Sequence, residues 1–555
     1  MLKFSLLTIA LLASTGTALA QRAPVGGGEL QQIPPAPIPQ RAAPDIQVER
    51  REPPANPGPP GPKILVNSLH ITGETLFPEA ELIVATGFKP GQELSLGQLR
   101  TMASWITRYY DRRGYFLAQA YLPVQDINAG VVTIAVIEGR YGKIVLRNRT
   151  RLSDRQIWGV LRGLKSGDIV ETAPLERRLL LISDIPGVRV RSTLTPGVEV
   201  GTSDLIVDVT PGPLVSGEVD ADNAGNRYTG SDRLGATVYL NDPTGHGDQL
   251  SVRALTSFDG LNYIRGAYQI PIQNLTVGVA YAALDYRLGK EFKSLDARGS
   301  AQIASAFASY PLIRSYNDNL YVLVDFDFKT FQDKLGNPAS VTDKRAEVGT
   351  IGFYGNHHDS FVGGGWNTYS LYGSYGDLDI QSAAARLIDA ATARTSGGYG
   401  KLTFDVSRLQ NLVGPLSLYG EVRGQIASKN LDISEKMELG GAYGVRAYPE
   451  GEAYGDDGYI ATAELRWLLP RWSAPVPGRA QLFGFVDTGS VIVNESPWVA
   501  GHNRLTRSGA GVGALWEDPG DFLIRATYAW ELGDTPATSA PNAAGRFWIQ
   551  VVKYF

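Results

Sequence analysis

The sequence predicts a membrane all-β barrel of about 16 antiparallel strands, preceded by two small α+β units. Three observations carry this. From about residue 214 to the last residue the helical period disappears, and strand-like segments alternate with Gly, Asp, Asn and Pro turns. The first twenty residues read as a secretory signal. Between the two, one order of elements occurs twice.

The signal has a positive start at Lys3, an apolar run over 4–13, and the small-x-small site Ala18-Leu19-Ala20, so residues 1–20 are expected to be removed. The run is too short to span a bilayer, and the rest of the chain has no uninterrupted apolar stretch near the ~18 residues a membrane helix needs. A membrane form must then be a closed barrel, because backbone polar groups in hydrocarbon need internal partners. The chain has no Cys, which removes disulfides, thiol catalysis and thiolate metal sites. With 52 basic and 56 acidic residues, the charge balance gives no reason to expect nucleic acid.

Residues 21–62 form a Pro-rich, semi-extended linker in which 28–33 can make a turn or two of helix and act as a short plug. Residues 63–140 form the first unit. A strand is expected over 65–71 and a short helix over 78–86. Ser95 with Gln98 makes a capping box for a longer helix, whose apolar stripe includes Leu99, Met102 and Ile106. That helix stops at Gly114, and strands follow over 116–122 and 131–138. Residues 141–212 repeat the order: a strand over 143–146, helices over 153–162 and 174–183, and strands over 188–194 and 204–209.

Residues 213–555 are the barrel. Over 320–328 the even positions are apolar, while Asp325 and Asp327 take the other face. Over 459–469 Thr462, Glu464 and Arg466 share one face against a row of Tyr, Ala, Leu and Trp. Over 522–532 Arg525, Thr527 and Glu531 do the same. Charges confined to one face of long strands suit a barrel with an apolar exterior and a wet or plugged lumen. A soluble sandwich or propeller also alternates, but seldom with this segregation over so many strands. The chain ends on Phe555, an aromatic terminus that suits a barrel-closing strand.

Local motifs add a resemblance. The run Ile71-Thr72-Gly73-Glu74-Thr75-Leu76-Phe77 resembles the first strand and turn of a POTRA domain. Residues 222–230 and 245–250 resemble the first two hairpins of a secretion barrel. The most specific match is Val445, Arg446, Ala447 and Tyr448, followed by Gly455, Asp456 and Gly458, in a long connection over 430–458. A second is Phe485, Asp487 and Gly489 on the next strand, where alternation turns Asp487 inward. Together these resemble the B-component of two-partner secretion, the haemolysin-activator and filamentous-haemagglutinin-transporter family of the outer-membrane insertase superfamily. The resemblance implies two periplasmic POTRA domains and a Gram-negative outer-membrane barrel that exports a large partner exoprotein in unfolded form. It implies that the long loop enters the lumen and that Arg446 pairs with Asp487. The family form has Gly where Ala447 stands, and Ala takes positive φ less cheaply.

The resemblance also implies partners: the unfolded exoprotein, outer-membrane lipids and lipopolysaccharide, and the barrel assembly machinery during biogenesis. The exoprotein is expected to meet the first unit around Leu99, Met102, Ile106, Tyr109 and Tyr110, and grooves or edge strands there can hold an extended chain. Other readings are weaker. Asn356-His357-His358-Asp359 reads as an exposed polar turn rather than a metal site. Residues 509–513 resemble a nucleotide loop only superficially, because no helix follows, and small residues in a crowded wall explain them better. With five His and no Cys, neither an enzyme nor a cofactor is expected. Rival functions are a barrel-assembly factor, a passive solute channel, and a surface adhesin or enzyme on a barrel anchor.

Overall fold

The computed structural model describes residues 25–34, 45–48, 62–470 and 476–555. The expected signal segment and most of the linker lie outside the described residues. Within the linker, a short helix α1 (Gly26–Gln31) and a strand (Asp45–Val48) are described.

The first unit packs α2 (Glu79–Thr86) and α3 (Leu96–Asp111) on a sheet of Ser68–Thr72, Val131–Ile137 and Gln119–Tyr121. Both arms of the capping box at Ser95 and Gln98 form, which fixes where α3 begins. The single strand expected over 65–71 is two strands, Lys63–Val66 and Ser68–Thr72. At the break, the Asn67 amide donates to the Gly130 carbonyl at 2.8 Å. The inward parity changes there, since Val66 is buried on one side and Leu69 and Ile71 on the other. Lys63–Val66 pairs with Gln92–Ser95, a strand the sequence reading missed because its last residue is also the cap of α3. The strand expected over 116–122 shrinks to Gln119–Tyr121.

In the second unit, α4 (Asp154–Leu161) and α5 (Thr172–Ser183) cover a sheet of Arg140–Asn148, Thr202–Pro211 and Val188–Pro196. The linker strand Asp45–Val48 adds to its edge, parallel to Val188–Pro196. Each unit has its own apolar core.

The barrel closes with 16 antiparallel strands. The first half comprises β1 (Val215–Asp222), β2 (Arg233–Asn241), β3 (Gln249–Thr256), β4 (Leu261–Ile272), β5 (Leu275–Arg287), β6 (Arg298–Arg314), β7 (Asp318–Gly336) and β8 (Ala339–Asp359). The second half comprises β9 (Gly365–Ile380), β10 (Gly397–Asn411), β11 (Leu416–Ala427), β12 (Asp457–Leu468), β13 (Arg479–Ile492), β14 (Arg504–Asp518), β15 (Phe522–Glu531) and β16 (Arg546–Tyr554). A helix α6 (Ala383–Ala391) caps the β9–β10 loop. Closure runs from Glu218 opposite Tyr554 to Asp222 opposite Gln550. Phe555 exchanges 3.0 Å backbone bonds with Gly217 just beyond that register.

The alternation sorts faces as a membrane barrel requires. Val324 and Phe326 are 51 % and 50 % exposed on the outer wall, while Asp325 and Asp327 turn inward. No described helix is long and apolar enough to cross a membrane. The second unit leads directly into β1, at the end of the barrel that the family resemblance implies faces the periplasm. It also touches the turns at that end. Asp184, the C-cap of α5, holds Arg314 through two 2.8 Å hydrogen bonds, and Arg177 donates to the carbonyls of Pro311 and Leu312 at 2.9 and 3.1 Å. Gln156 of α4 donates to the His246 carbonyl at 3.2 Å.

The segment 356–359 is not a turn. It is the end of β8, where His357 pairs with Asp318 and the ladder to β9 continues through Asp359. The strand outlasts its apolar alternation, so the polar run looked like a connection. Among the described residues, no group of three or more His, Asp or Glu is arranged to hold a metal.

Candidate functional site: the lumenal loop and its anchor

The loop between β11 and β12 turns into the barrel because its two ends are tied together. Asp456, fully buried, accepts from the Leu431 amide at 2.9 Å and the Glu495 amide at 2.8 Å, and pairs with Lys436 at 2.7 Å. Gly455 and Gly458 sit against Val491 of β13, where an added Cβ would lie 2.4 and 2.6 Å from its side chain. Beyond this neck the tip is a compact turn. The Val445 amide donates to the Leu439 carbonyl at 2.7 Å, and the Tyr448 amide to the Val445 carbonyl at 3.0 Å.

The turn presents Arg446 to the barrel wall. Its Nε and Nη2 donate to the two oxygens of Asp487, both at 2.8 Å, and its backbone amide adds a third bond at 3.2 Å. Nη1 donates to Glu464 at 2.8 Å. The guanidinium lies over the Phe485 ring, 3.4 Å from the centroid. Trp548 of β16 donates to the Arg446 carbonyl at 2.7 Å. Arg446 is 4 % exposed, Asp487 0 % and Glu464 1 %. A planar fork held by two carboxylates and stacked on a ring fixes position and orientation together, which an ammonium cannot do.

The surrounding residues shape the seat. Val445, Ala447, Tyr448, Phe483 and Phe485 form one buried apolar cluster. Ala447 is absent from the residues with positive φ, so the replacement of Gly is accommodated without left-handed backbone. It fits because Gly509 lies opposite, where an added Cβ would meet the Ala447 methyl at 2.5 Å. Gly511 and Gly513 make the same room for the rings of Phe485 and Phe483, with 2.4 and 2.3 Å between an added Cβ and each ring. The glycine run 509–513 is a niche for this cluster. Gly489 is crowded by Leu439 of the loop, 2.8 Å from an added Cβ.

Sequence reasoning left several participants without partners. Glu464 is shared by Arg446, Arg466 and Arg525, at 2.8, 2.7 and 3.0 Å. Glu452 of the loop pairs with Arg507 of β14 at 2.6 Å and accepts from the Thr538 and Ser539 amides at 2.7 and 2.9 Å. The signal available was the inward face of 459–469 and 522–532, which gave the side of the wall but no partner.

Helix α1 lies in the same lumen. The Gly26 amide donates to Asp333 at 2.9 Å, Gln31 to the Ile433 carbonyl at 2.7 Å, and Gln32 to the Tyr454 hydroxyl at 2.8 Å. Glu29 accepts from Thr229 at 2.8 Å, and Arg233 donates to the Gln32 carbonyl at 2.8 Å. Gly27 is required for this approach, since an added Cβ would lie 2.7 Å from Ser434. Burial is the largest influence on Glu29 and pushes its carboxyl up to about 7, against the lowering effects of Thr229 and Arg233.

The five α3 residues expected to meet the exoprotein, Leu99, Met102, Ile106, Tyr109 and Tyr110, are all buried in the core of the first unit. They hold the helix to its sheet. The side chains α3 offers to solvent include Trp105, across a shallow groove from Val84 of α2.

Residues 201–514 match the family described as haemolysin secretion/activation protein ShlB/FhaC/HecB, and residues 64–139 match the POTRA domain, ShlB-type. The chain belongs to this haemolysin secretion/activation family. It is an outer-membrane two-partner secretion transporter for exoproteins. Among its relatives, the heme/hemopexin transporter protein HuxB of Haemophilus influenzae is 29% identical over 470 residues, 84% of this chain and 82% of that protein. The outer membrane transporter CdiB of Dickeya dadantii is 24% identical over 442 residues, 77% of this chain and 76% of that one. The solved structure of CdiB from Escherichia coli superposes with a TM-score of 0.67 at 21% identity, covering 91% of this chain and 93% of that chain, and shows the same fold.

Proposed function

We propose that this transporter passes its exoprotein unfolded through the barrel, and that the Arg446 loop with α1 holds the lumen shut until cargo arrives. Residues 63–140 and 141–212 serve as two POTRA capture units and 213–555 as the pore, after removal of residues 1–20. The first unit offers the Trp105 flank and its sheet edges to an extended chain. The observation that carries the reading is the three-bond clamp of Arg446 on Asp487, backed by Glu464. A long loop loses much conformational freedom on ordering, and a clamp of this geometry offsets that loss. Transport needs no catalytic step: folding of the cargo outside the cell biases passage outward. The cargo is of haemolysin, adhesin or contact-dependent toxin type. Outer-membrane lipids and lipopolysaccharide surround the barrel, and the barrel assembly machinery inserts it.

The test is export of the cognate exoprotein by Arg446→Ala and Asp487→Ala. Both variants should assemble as heat-modifiable barrels yet lose export. Normal secretion by both would sink the proposal.

A further inference from the structure

At the extracellular end of β5, β6 and β7, three cations stand in one register row. Arg287 is directly opposite Arg298, and Arg298 directly opposite Lys334. All three face outward, because their neighbour Tyr286 is buried toward the lumen, where it donates to Asp333 at 2.7 Å. Like charges directly opposite on a sheet are destabilising, so such a row calls for an anion. Arg287 meets one, Asp296 at 2.6 Å. Among the described residues, Arg298 and Lys334 make no ion pair within 4.0 Å.

A polar cleft of about 420 Å³ lies along this row. Ser300 and Gln332 line it beside the two cations, Asp259 and Asp285 line it on the β3–β5 side, and Phe258 stands exposed at its rim. The carboxylates repel an anion and direct it to the β6–β7 side, while they accept from hydroxyl groups. The height is informative. Tyr281 and Phe326 are exposed on the apolar wall below, and Arg287 lies six residues beyond Tyr281 on the same strand, about 20 Å along it. With the usual strand tilt of about 40°, the row stands roughly 15 Å above that aromatic level. It is on the outer wall, beyond the acyl region, where the outer leaflet carries the phosphates and sugars of lipopolysaccharide.

We propose that this cleft is a lipopolysaccharide site, with Arg298 and Lys334 holding a phosphate of the lipid A–inner core region and the flanking polar groups holding sugar hydroxyls. A soluble phosphate offers the same charge. Only an anchored one is delivered to this height on the outer wall.

The test uses the full-length barrel in a neutral detergent, with thermal protection measured against added lipopolysaccharide. Intact lipopolysaccharide should protect the wild type, and R298E/K334E should need about tenfold more for equal protection, the scale expected for losing two exposed ionic contacts. Dephosphorylated lipopolysaccharide should protect both weakly and equally. R504E, a reversal elsewhere on the outer rim, should behave as wild type. If the double reversal fails to fold, R298Q/K334Q takes its place. Equal protection of wild type and variant by intact lipopolysaccharide overturns the proposal. So does inorganic phosphate protecting as well as lipopolysaccharide at equal phosphate concentration.

Discussion

At the residue scale, the lumenal anchor is a network rather than a pair. Glu464 serves three guanidinium groups, and two of its contacts, with Arg446 and Arg466, lie largely out of solvent. Removing this shared buried carboxylate leaves Arg466 and Arg525 without an ion pair among the described residues and Arg446 with Asp487 alone, a loss that costs about 3–5 kcal/mol where burial is complete. Glu464→Gln should therefore lower the denaturant midpoint of the folded barrel more than Arg466→Gln does. If the two variants are equally stable, Glu464 is not the hub. The pairing of Arg446 with Asp487 was legible only because the family resemblance implied it; alternation by itself turned Asp487 inward and named no partner. Glu464 was equally well placed on the inward face, but alternation fixes a face and never a partner, and its three partners come from three separate segments.

At the element scale, α1 is held by polar contacts to the barrel and to the Arg446 loop alike, so the two move as neighbours. Its Glu29 is raised from 4.5 to about 7 in the docked state. The docked helix thus holds a proton that a released helix sheds. Docking is at full strength below the ordinary carboxyl value and weakens as pH rises through about 7. In planar bilayers, conductance should be higher at about pH 8 than at about pH 5, and Glu29→Gln should flatten the difference. A conductance that falls with pH would contradict this. The helix itself was readable in the sequence only as a turn or two over 28–33. It begins at Gly26 because the glycines permit close approach to Ser434, a reason that lies in the loop and not in local propensity. The split at Asn67 has the same character, since a one-residue change of face looks in sequence like continuous alternation.

At the scale of the whole molecule, the second α+β unit is latched to the barrel's periplasmic turns through Asp184, Arg177 and Gln156. The latch joins this unit to the barrel. The chain contains no Cys, so D184C/R314C can be bridged by a short bis-maleimide without side reactions. Export should stop on bridging, while each single-Cys variant treated alike keeps exporting. Undiminished export by the bridged protein would show that the unit need not swing away. Barrel, strand number and domain order were legible because they repeat along the chain. The latch was not, because it joins residues 90 to 135 positions apart with no shared periodicity.

The glycine niche at 509–513 bears on how the pore opens in time. Ala447 of the tip is keyed against Gly509, beside the wall rings of Phe483 and Phe485 that fill the space over Gly513 and Gly511, with no room for an added methyl group at any of the three glycines. A tip seated this way has no partly withdrawn position that keeps its contacts, because any displacement loses the ring packing and the Arg446 bonds together. Opening is then a single cooperative event. Current traces should show one abrupt step between closed and open levels, with a dwell time set by the niche, and no ladder of intermediate levels.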